Sequence, residues 1–436
     1  MIDMLTASDR GVPDGTRTRL IVEPARPVSV SVLPLEDPAR AEDVSLEAGL
    51  PGRVLREHDA VVRQTHRRAG VIVVDVPEDR QAALRRDLAA AGFVARPPKP
   101  VYALLNESVP LLNVRPVWKS GVEGDGVHVG IVDTGADHHP DLGDRIVAYR
   151  DFTESGPADE VGHGTHVAGI VAGAGPLYRG IAPKASLVIA KALSLRGGTE
   201  DTVLAALSWL SRLKVDVVNL SLGGPGDPHD ALSREVDALS AEGILVCVAA
   251  GNSGPAPGTI GSPGCAAGAI TVGAIDKRRR VTDYSSRGPV VGLRAHKPDV
   301  VAVGGGTTPS ASCHYGVGVA SARAQALDGD RCTVAARYVR MSGTSMAAPH
   351  VTGVCALLLD ASRSMGRPES RVARARAVRR ALIQSADDLG LAPDVAGAGV
   401  VDAAKALEAL GSRRSVAVPT MSSSSPAIAR SGIDPK

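Results

Sequence analysis

Three residues have the side chains that nucleophilic catalysis by serine requires. Asp133 ends the apolar run HVGIVD, His163 lies in the block GHGTHVAG, and Ser345 lies in GTSMAAPH, before the apolar run VTGVCALLLD. A serine hydroxyl becomes a good nucleophile when a base takes its proton, and the base needs a third group that orients it and stabilises its cation. Each residue alone has an ordinary alternative role, as a cap, a satisfied polar residue or a turn residue. Together they predict an Asp, His and Ser catalytic set.

The pattern around these residues predicts an α/β domain with a doubly wound, mostly parallel sheet. Near-continuous apolar runs, typical of strands buried on both faces, alternate with amphipathic helical segments. The runs are HVGIVD, SLVIAKAL, VDVVNLSLG, ILVCVAAG and AITVGAID, and the helical patterns cover residues 199–214 and 229–243. Such sheets place their sites beyond the carboxyl ends of the strands. Asp133 is therefore expected in that crevice, with His163 and Ser345 at helix starts.

Over residues 106 to about 410 the chain resembles the subtilisin-like serine proteases, the subtilases of peptidase family S8. The resemblance rests on the blocks IVDTGADHHPDL, GHGTHVAGIVAG, VVNLSLGG, VAAGNSGP, ITVGA, YSSRGP, KPDVVAVG and GTSMAAPHVTG, which stand in the family's order. It implies that Asp133 orients His163, that His163 is general base and then general acid, and that Ser345 forms the acyl-enzyme. The matching Asn252 would donate its side-chain amide to the oxyanion.

The resemblance also implies where an extended peptide would bind, through main-chain hydrogen bonds to two backbone edges. These edges, and the pocket for the residue before the scissile bond, would be formed by Leu195, Arg196, Gly197, Gly198, Ser221, Leu222, Gly223, Gly224, Ala250, Gly251 and Gly261. Since the walls are small, we expect a roomy apolar pocket that prefers leucine, phenylalanine, tyrosine or methionine. The expected partner is a protein or peptide substrate.

A smaller pattern precedes the peptidase region. VSVSVL (28–33), VIVVDV (71–76) and FVA predict strands, and residues 78–92 predict an amphipathic helix that ends at Gly92. The chain is therefore divided into an N-terminal tail (1–26), an α+β module (27–105), a peptidase domain (106–411) and a disordered, Ser-rich tail (412–436).

The module resembles the pro-region that often precedes this protease domain and occupies its cleft. This resemblance implies an intramolecular inhibitor with VYALL in the substrate groove and self-cleavage after Leu105. Residues 102–105 would then fill the four subsites before the cleaved bond. The alternative is a permanent accessory domain that is never removed.

Composition narrows the partners and the location. The chain has 2 Trp, 6 Tyr and 2 Phe and a formal net charge of +2. So few aromatic rings and so weak a charge argue against nucleic acid and anionic membranes as partners. No apolar run approaches the roughly 18 residues of a membrane helix, and MIDMLTASDRGVPDGTRTRL lacks the apolar stretch of a secretory signal. These features favour an intracellular location over export.

No cofactor is expected to be required for catalysis, and no metal ligands are assigned. His163 and His166 form an H-x-x-H pair, but no H-E-x-x-H motif or comparable ligand set accompanies it, and the resemblance makes His166 and His350 structural. Family members often bind structural calcium through a carboxylate that matches Asp141 and a loop after the His-bearing helix. Here that loop reads AGAGPLYRGIAP, which lacks side-chain carbonyl ligands. We expect no strong calcium site there and leave open one elsewhere.

The five cysteines are an odd number, which fits reduced thiols better than a disulfide framework. Cys247 and Cys355 lie in apolar runs and are expected as small buried hydrophobic residues. Cys313 and Cys332 flank a Gly- and Ala-rich loop and are the one pair that the pattern allows to form a disulfide.

Three other functions stay open at this point. A transpeptidase or macrocyclase would pass the same acyl-enzyme to an amine instead of water. A binding protein on a protease scaffold would be catalytically silent, and the complete set of Asp133, His163, Ser345 and Asn252 counts against it. A metallohydrolase would be sensitive to chelators.

Overall fold

The computed structural model describes residues 17–25, 50–66, 70–98, 100–103, 110–175, 178–306, 318–327, 332–335, 337–365 and 370–411. Within these ranges the chain forms a small N-terminal α+β module and an α/β domain built on a seven-stranded parallel sheet. The predicted fold class is confirmed.

The module is a four-stranded antiparallel sheet with two helices on one face. Its elements are β1 (Arg17–Pro24), α1 (Leu50–Glu57), β2 (Val61–His66), β3 (Val71–Pro77), α2 (Gln81–Ala90) and β4 (Phe93–Arg96). The strand order is β2-β3-β1-β4. The helix-covered face buries Leu20, Val22, Leu55, Ile72, Val74, Val76, Leu84 and Leu88. The opposite face contributes Ile21 and Val71 to a core shared with the α/β domain.

The prediction of an N-terminal tail over 1–26 is wrong for residues 17–24, because they form β1, which lies between β3 and β4. The segment RTRLIVEP contains charged residues and therefore looks polar in the sequence. In the structure, Arg19 and Glu23 of this segment make ion pairs with the α/β domain. The predicted strand at 28–33 and the tail at 412–436 lie outside the described residues. The helix predicted over 78–92 is confirmed as α2, preceded by a 3₁₀ turn at Glu78–Arg80.

The next strand, β5 (Pro100–Ala103), leaves the module and enters the α/β domain. The first half of that domain contains α3 (Arg115–Lys119), β6 (His128–Asp133), β7 (Ile146–Asp151), α4 (His163–Ala172), β8 (Ser186–Lys191), β9 (Gly198–Thr199), α5 (Glu200–Arg212), β10 (Val217–Leu220) and β11 (Leu222–Gly223). The second half contains α6 (Ala231–Ala241), β12 (Leu245–Ala249), β13 (Ile270–Ile275), β14 (Val300–Val303), β15 (Val319–Ala322), β16 (Thr333–Ala335), β17 (Tyr338–Met341), α7 (Thr344–Ser364), α8 (Arg371–Gln384), α9 (Pro393–Ala396) and α10 (Ala403–Gly411).

The central sheet has the strand order β14-β13-β12-β10-β6-β8-β7, and every neighbouring pair is parallel. Helices cover both faces, with α5 and α6 in one apolar cluster and α4, α7, α8 and α10 in the other. Ile131 and Val132 are adjacent on β6 and belong to opposite clusters. This burial on both faces explains why the strands read as continuous apolar runs.

β5 lies between two edges of the α/β domain, in a three-stranded arrangement of order β11-β5-β9. Both pairings are antiparallel and join Val101 to Gly198 of β9 and Tyr102 to Gly223 of β11. The module therefore extends a strand into the groove that the sequence predicts for an extended peptide.

β15, β17 and β16 form a small antiparallel sheet near α4. The expectation of reduced thiols is wrong for Cys332, which is disulfide-bonded, while Cys313 lies outside the described residues. Cys247 and Cys355 are confirmed as buried free thiols, with sulfur atoms 3.9 Å apart. Among the helices that the structure describes, none is long and apolar enough to cross a membrane.

Candidate active site

The end of β6 and the start of α4 bring Asp133 and His163 together. Both side chains are fully buried, and His163 Nδ1 lies 2.5 Å from Asp133 Oδ1. Because the carboxylate is an acceptor, this contact places a proton on Nδ1 and leaves Nε2 able to accept another. Gly162 precedes the helix with φ of 79°, a conformation that glycine adopts without steric cost. A Cβ there would lie 2.4 Å from Leu327.

Ser345 is the second residue of α7, where backbone N–H groups lack partners within the helix. Its fully buried hydroxyl donates to the carbonyl oxygen of Ser221 at 3.0 Å. The Ser221 hydroxyl donates in return to the carbonyl oxygen of Ser345 at 2.6 Å. These two bonds fix the start of α7 against the segment between β10 and β11. The backbone N–H groups at a helix start and the helix dipole favour negative charge at this point.

Asn252 follows β12 and is held by its side-chain oxygen. The backbone N–H and the hydroxyl of Thr344 both donate to Asn252 Oδ1, at 2.8 and 3.1 Å. The Thr344 hydroxyl also accepts the Gly251 N–H at 3.1 Å. With Oδ1 occupied, the amide Nδ2 is the atom of Asn252 that can donate to a ligand. Its anchor is the residue before Ser345, so the two side chains lie beside the same helix start.

A cavity of about 280 Å³ opens beside Asn252. It is lined by Gly223, Gly224, Pro225, Ala249, Ala250, Gly251, Asn252, Ser253, Thr259 and Gly261. The predicted Gly223, Gly224, Ala250, Gly251 and Gly261 are all among them. None of the lining residues carries a charge, so the cavity suits an apolar side chain.

Of the residues predicted for the first edge, 195–198, only Gly198 pairs with β5. Leu195 and Arg196 lie in a turn closed by two hydrogen bonds between Ser194 and Gly197, each 2.9 Å long. Pairing with β5 starts only at Gly198, and it includes Thr199, which the sequence did not suggest.

The opposite edge pairs with β5 through Leu222 and Gly223. Ser221, immediately before this edge, bonds to Ser345 instead.

The second histidines of the two motifs are buried among main-chain acceptors. His166 Nε2 donates to the carbonyl oxygens of Val319 and Val339, and burial lowers the pKa of His166 to about 3. His350 Nδ1 donates to the carbonyl oxygen of Met346 at 2.6 Å, and burial lowers its pKa to about 4. Both are therefore neutral near pH 7. In the part of the chain that the structure describes, no group of three or more His, Cys, Asp or Glu side chains is arranged to hold a metal.

Asp141, the carboxylate considered for calcium, is in close contact with other groups of the chain. The Tyr338 hydroxyl donates to Asp141 Oδ2 at 2.7 Å. A Cβ placed on Gly175 would lie 1.9 Å from the same oxygen. Gly175 beyond α4 is therefore packed closely against the carboxylate, and one of its oxygens accepts a hydroxyl proton.

Sequence reasoning missed two residues that organise the site. Thr344 holds Asn252, and Asp159 accepts hydrogen bonds from both sides of the Asp133–His163 pair. Thr344 lies in the quoted block GTSMAAPH, so its position beside Ser345 was a usable signal. Asp159 lies in the loop segment PADEVG, where nothing in the local pattern distinguishes a buried carboxylate from a solvated one.

Known proteins are similar to this chain over the α/β domain. A model described as the subtilase family matches residues 124–403. The serine protease AprX of Bacillus subtilis is 37% identical over 292 residues, which span 60% of this chain and 63% of that protein. Subtilisin DY of Bacillus licheniformis is 35% identical over 65% of this chain and 91% of its own length. An intracellular serine protease of Paenibacillus polymyxa is 34% identical over 67% of this chain and 83% of its own length.

The matched region contains β6, α4, β12 and the start of α7, the four elements that position Asp133, His163, Asn252 and Ser345. It also covers more than half of the chain. The chain therefore belongs to the subtilase family, a family of serine-type endopeptidases.

Proposed function

We propose that this chain hydrolyses peptide bonds with Ser345 as nucleophile, His163 as proton carrier and Asp133 as the group that orients His163. The observation that carries the proposal is the 2.5 Å contact between His163 Nδ1 and Asp133 Oδ1. It favours the tautomer that a general base needs, in which Nδ1 carries the ring proton and Nε2 is the acceptor.

The reaction follows from these positions. The Ser345 hydroxyl, which donates to the Ser221 carbonyl at rest, turns its proton toward His163 Nε2 as Oγ attacks the peptide carbonyl carbon. The imidazolium is stabilised by the Asp133 carboxylate, and the oxyanion accepts hydrogen bonds from Asn252 Nδ2 and the Ser345 backbone N–H. The leaving amine takes the proton from His163. Water then repeats the sequence on the acyl-enzyme and regenerates the Ser345 hydroxyl.

The cavity beside Asn252 would take the side chain before the scissile bond. Its glycine and alanine walls and its lack of charged residues favour leucine, phenylalanine, tyrosine or methionine there. A peptide library should show this preference, and a strong preference for acidic or basic residues would contradict it.

The N-terminal module would act as an intramolecular inhibitor. Its strand β5 is hydrogen-bonded to β9 and β11, the edges that an extended substrate would use. His163 and Ser345 are both fully buried in this form of the chain, so a substrate needs the module to move away first. The proposed cleavage site after Leu105 lies outside the described residues, two positions beyond the end of β5.

A labelling experiment tests the catalytic proposal. Wild-type protein should react with a fluorophosphonate probe and cleave casein with or without a chelator, whereas Ser345→Ala should do neither. Ser362→Ala is a matched control, because Ser362 is equally buried on the same helix. Labelling that persists in Ser345→Ala, or casein cleavage that Ser345→Ala retains and a chelator abolishes, would contradict the proposal.

Mass spectrometry tests the inhibitor proposal. The wild-type chain should lose a fragment that ends at Leu105, and Ser345→Ala should stay intact. An intact and active wild-type chain would indicate a permanent accessory domain instead.

A further inference from the structure

Asp159 is a fully buried carboxylate in the loop between β7 and α4. Its Oδ1 accepts the Thr134 hydroxyl at 2.7 Å and the Gly162 N–H at 2.8 Å. Its Oδ2 accepts the N–H and the hydroxyl of Thr165 at 2.8 and 2.6 Å. Four donors on one carboxylate offset much of the cost of burying its charge.

These donors come from both sides of the Asp133–His163 pair. Thr134 directly follows Asp133, and its N–H donates to Asp133 Oδ1 at 2.8 Å. The Thr134 hydroxyl also accepts the Gly164 N–H at 2.9 Å. Gly162 and Gly164 flank His163. One carboxylate therefore ties the end of β6 to the first turn of α4, where a negative charge is favoured by the helix dipole.

The loop that carries Asp159 is itself held from outside. The Asp159 N–H donates to Asp137 Oδ1 at 2.8 Å, and Asp137 Oδ2 accepts the Gln325 N–H at 2.8 Å. On the other side the buried Lys191 ammonium donates to the carbonyl oxygens of Gly156 and Ala158, at 2.9 and 2.5 Å. Asp159 thus has a fixed position from which it can orient other groups.

We infer that Asp159 is a positioning residue for catalysis, which sets the separation of Asp133 and His163 by holding Thr134 and the start of α4 in one arrangement. The inference rests on the proposed roles of Asp133 and His163. This role differs from that of a helix cap. Loss of a cap lowers stability, whereas loss of a positioning residue also lowers the turnover of the molecules that stay folded. Misplacement of a catalytic group by about 1 Å costs on the order of 10²-fold in rate.

Asp159→Asn tests the inference with little change in volume. The amide can keep one acceptor oxygen, but its NH₂ group cannot accept from Thr165. We expect kcat per folded molecule to fall by about 10²-fold with KM changed by less than about twofold, since β9, β11 and the pocket are untouched. The low-field proton resonance of the 2.5 Å Asp133–His163 hydrogen bond should shift or disappear.

Asp360→Asn is the matched control. Asp360 is buried on α7 and accepts the N–H groups of Glu123, Gly124 and Asp125. It lies 15 residues beyond Ser345 on that helix, about 22 Å at 1.5 Å per residue. This variant should lose stability and keep both kcat and the resonance. Wild-type kcat in Asp159→Asn, or an equal loss of kcat in both variants, would overturn the inference.

Two variants of Thr134 test the other end of the same link. Thr134→Ser keeps the hydroxyl that bridges Asp159 and Gly164 and should retain more activity than Thr134→Val, which removes it. Thr134→Val combined with Asp159→Asn should cost little more than the larger single effect, because both break the same link. Fully additive losses would contradict this link. If the wild type neither cleaves casein nor reacts with the fluorophosphonate, the proposed function fails, whereas the resonance still tests the Asp159 contact.

Discussion

Asn252 is held by its oxygen, and this contact determines which of its atoms can serve catalysis. We predict that Asn252→Ala lowers kcat by about 10²–10³-fold with a small effect on KM, the range known for removal of one oxyanion-hole donor in a subtilisin. Asn252→Asp is the informative comparison, because it keeps the acceptor for the Thr344 N–H and replaces the donor amide. Steady-state kinetics on an apolar peptide substrate measures both. Turnover near wild type in either variant would remove Asn252 from the oxyanion site.

At the residue scale, sequence patterns identified Asp133, His163, Ser345 and Asn252 because each lies in a short block with its own small-residue context. The structure brings Asp133 into contact with His163 and anchors Asn252 next to Ser345. The supporting residues could not be found this way. Asp159 accepts hydrogen bonds from Thr134, which follows β6, and from Thr165, which lies in α4. These donors come together only when the chain folds and β6 lies beside α4.

At the element scale, continuous apolar runs predicted the five inner strands of the central sheet, β6, β8, β10, β12 and β13, and missed its two edge strands, β7 and β14. In the module, β1 and β2 were missed too. β1 was missed because charged side chains alternate along it, and β7 because it is an edge strand whose residues are partly exposed. An edge strand such as β7 lacks the double burial that makes a strand obvious in a sequence.

The start of α4 provides a prediction about elements. Gly162→Ala should lower the unfolding free energy by about 1–3 kcal/mol, since a non-glycine residue is strained at φ of 79°. It should also reduce kcat, because the new Cβ would lie 2.4 Å from Leu327 Cδ1 and displace the helix start that carries His163. Thermal unfolding and peptide hydrolysis measure the two effects.

Gly121→Ala, in the turn after α3, separates strain from collision. Gly121 also has a positive φ, 85°, but a Cβ there meets nothing within 4 Å. It should lose stability and retain its turnover. Equal kinetic effects in the two variants would mean that collision with Leu327 does not matter.

At the scale of the whole molecule, the module docks on α5 and α6 through charged pairs. Arg19 contacts Asp201 at 3.0 Å, Arg96 pairs with Glu200, and Glu23 contacts Arg234 at 3.0 Å. Exposed pairs of this kind contribute little, but Glu200 is fully buried, so losing its partner would leave an uncompensated charge. The module and the α/β domain therefore form one interface whose strength depends on ionisation.

His66 makes that interface sensitive to mild acid. It lies on β2, buried against α5, with Nδ1 3.2 Å from the Ser208 hydroxyl. Burial lowers the pKa of His66 to about 4; Asp201 opposes this shift and Arg212 adds to it. An undocked His66 would titrate near its ordinary value of about 6.5. Above that pH both forms are neutral and docking is strongest. As the pH falls from 6.5 toward 4, only the undocked form gains the proton, so docking weakens.

Arg96 and Arg234 act in the same direction through Glu23. Burial raises the pKa of Glu23, but hydrogen bonds to these two arginines lower it overall. A depressed carboxylate pKa contributes stability above the ordinary pKa, and that contribution is lost as the pH falls below it. Because this loss begins near the ordinary pKa of glutamate, about 4.3, a change between pH 7 and pH 5 reports mainly on His66.

We therefore predict that hydrogen exchange of β2 and of α5 around Ser208 is more strongly protected at pH 7 than at pH 5 in the intact Ser345→Ala chain. Adding His66→Gln should remove most of that difference, because glutamine does not titrate. Adding His58→Gln should leave it, since His58 bonds to Asp87 of the module's own helix α2 at 2.7 Å. A pH dependence that survives His66→Gln would show that other groups control docking. If the prediction holds, acid weakens the contact that keeps β5 in the cleft, so the module should be released from the α/β domain more readily at pH 5 than at pH 7.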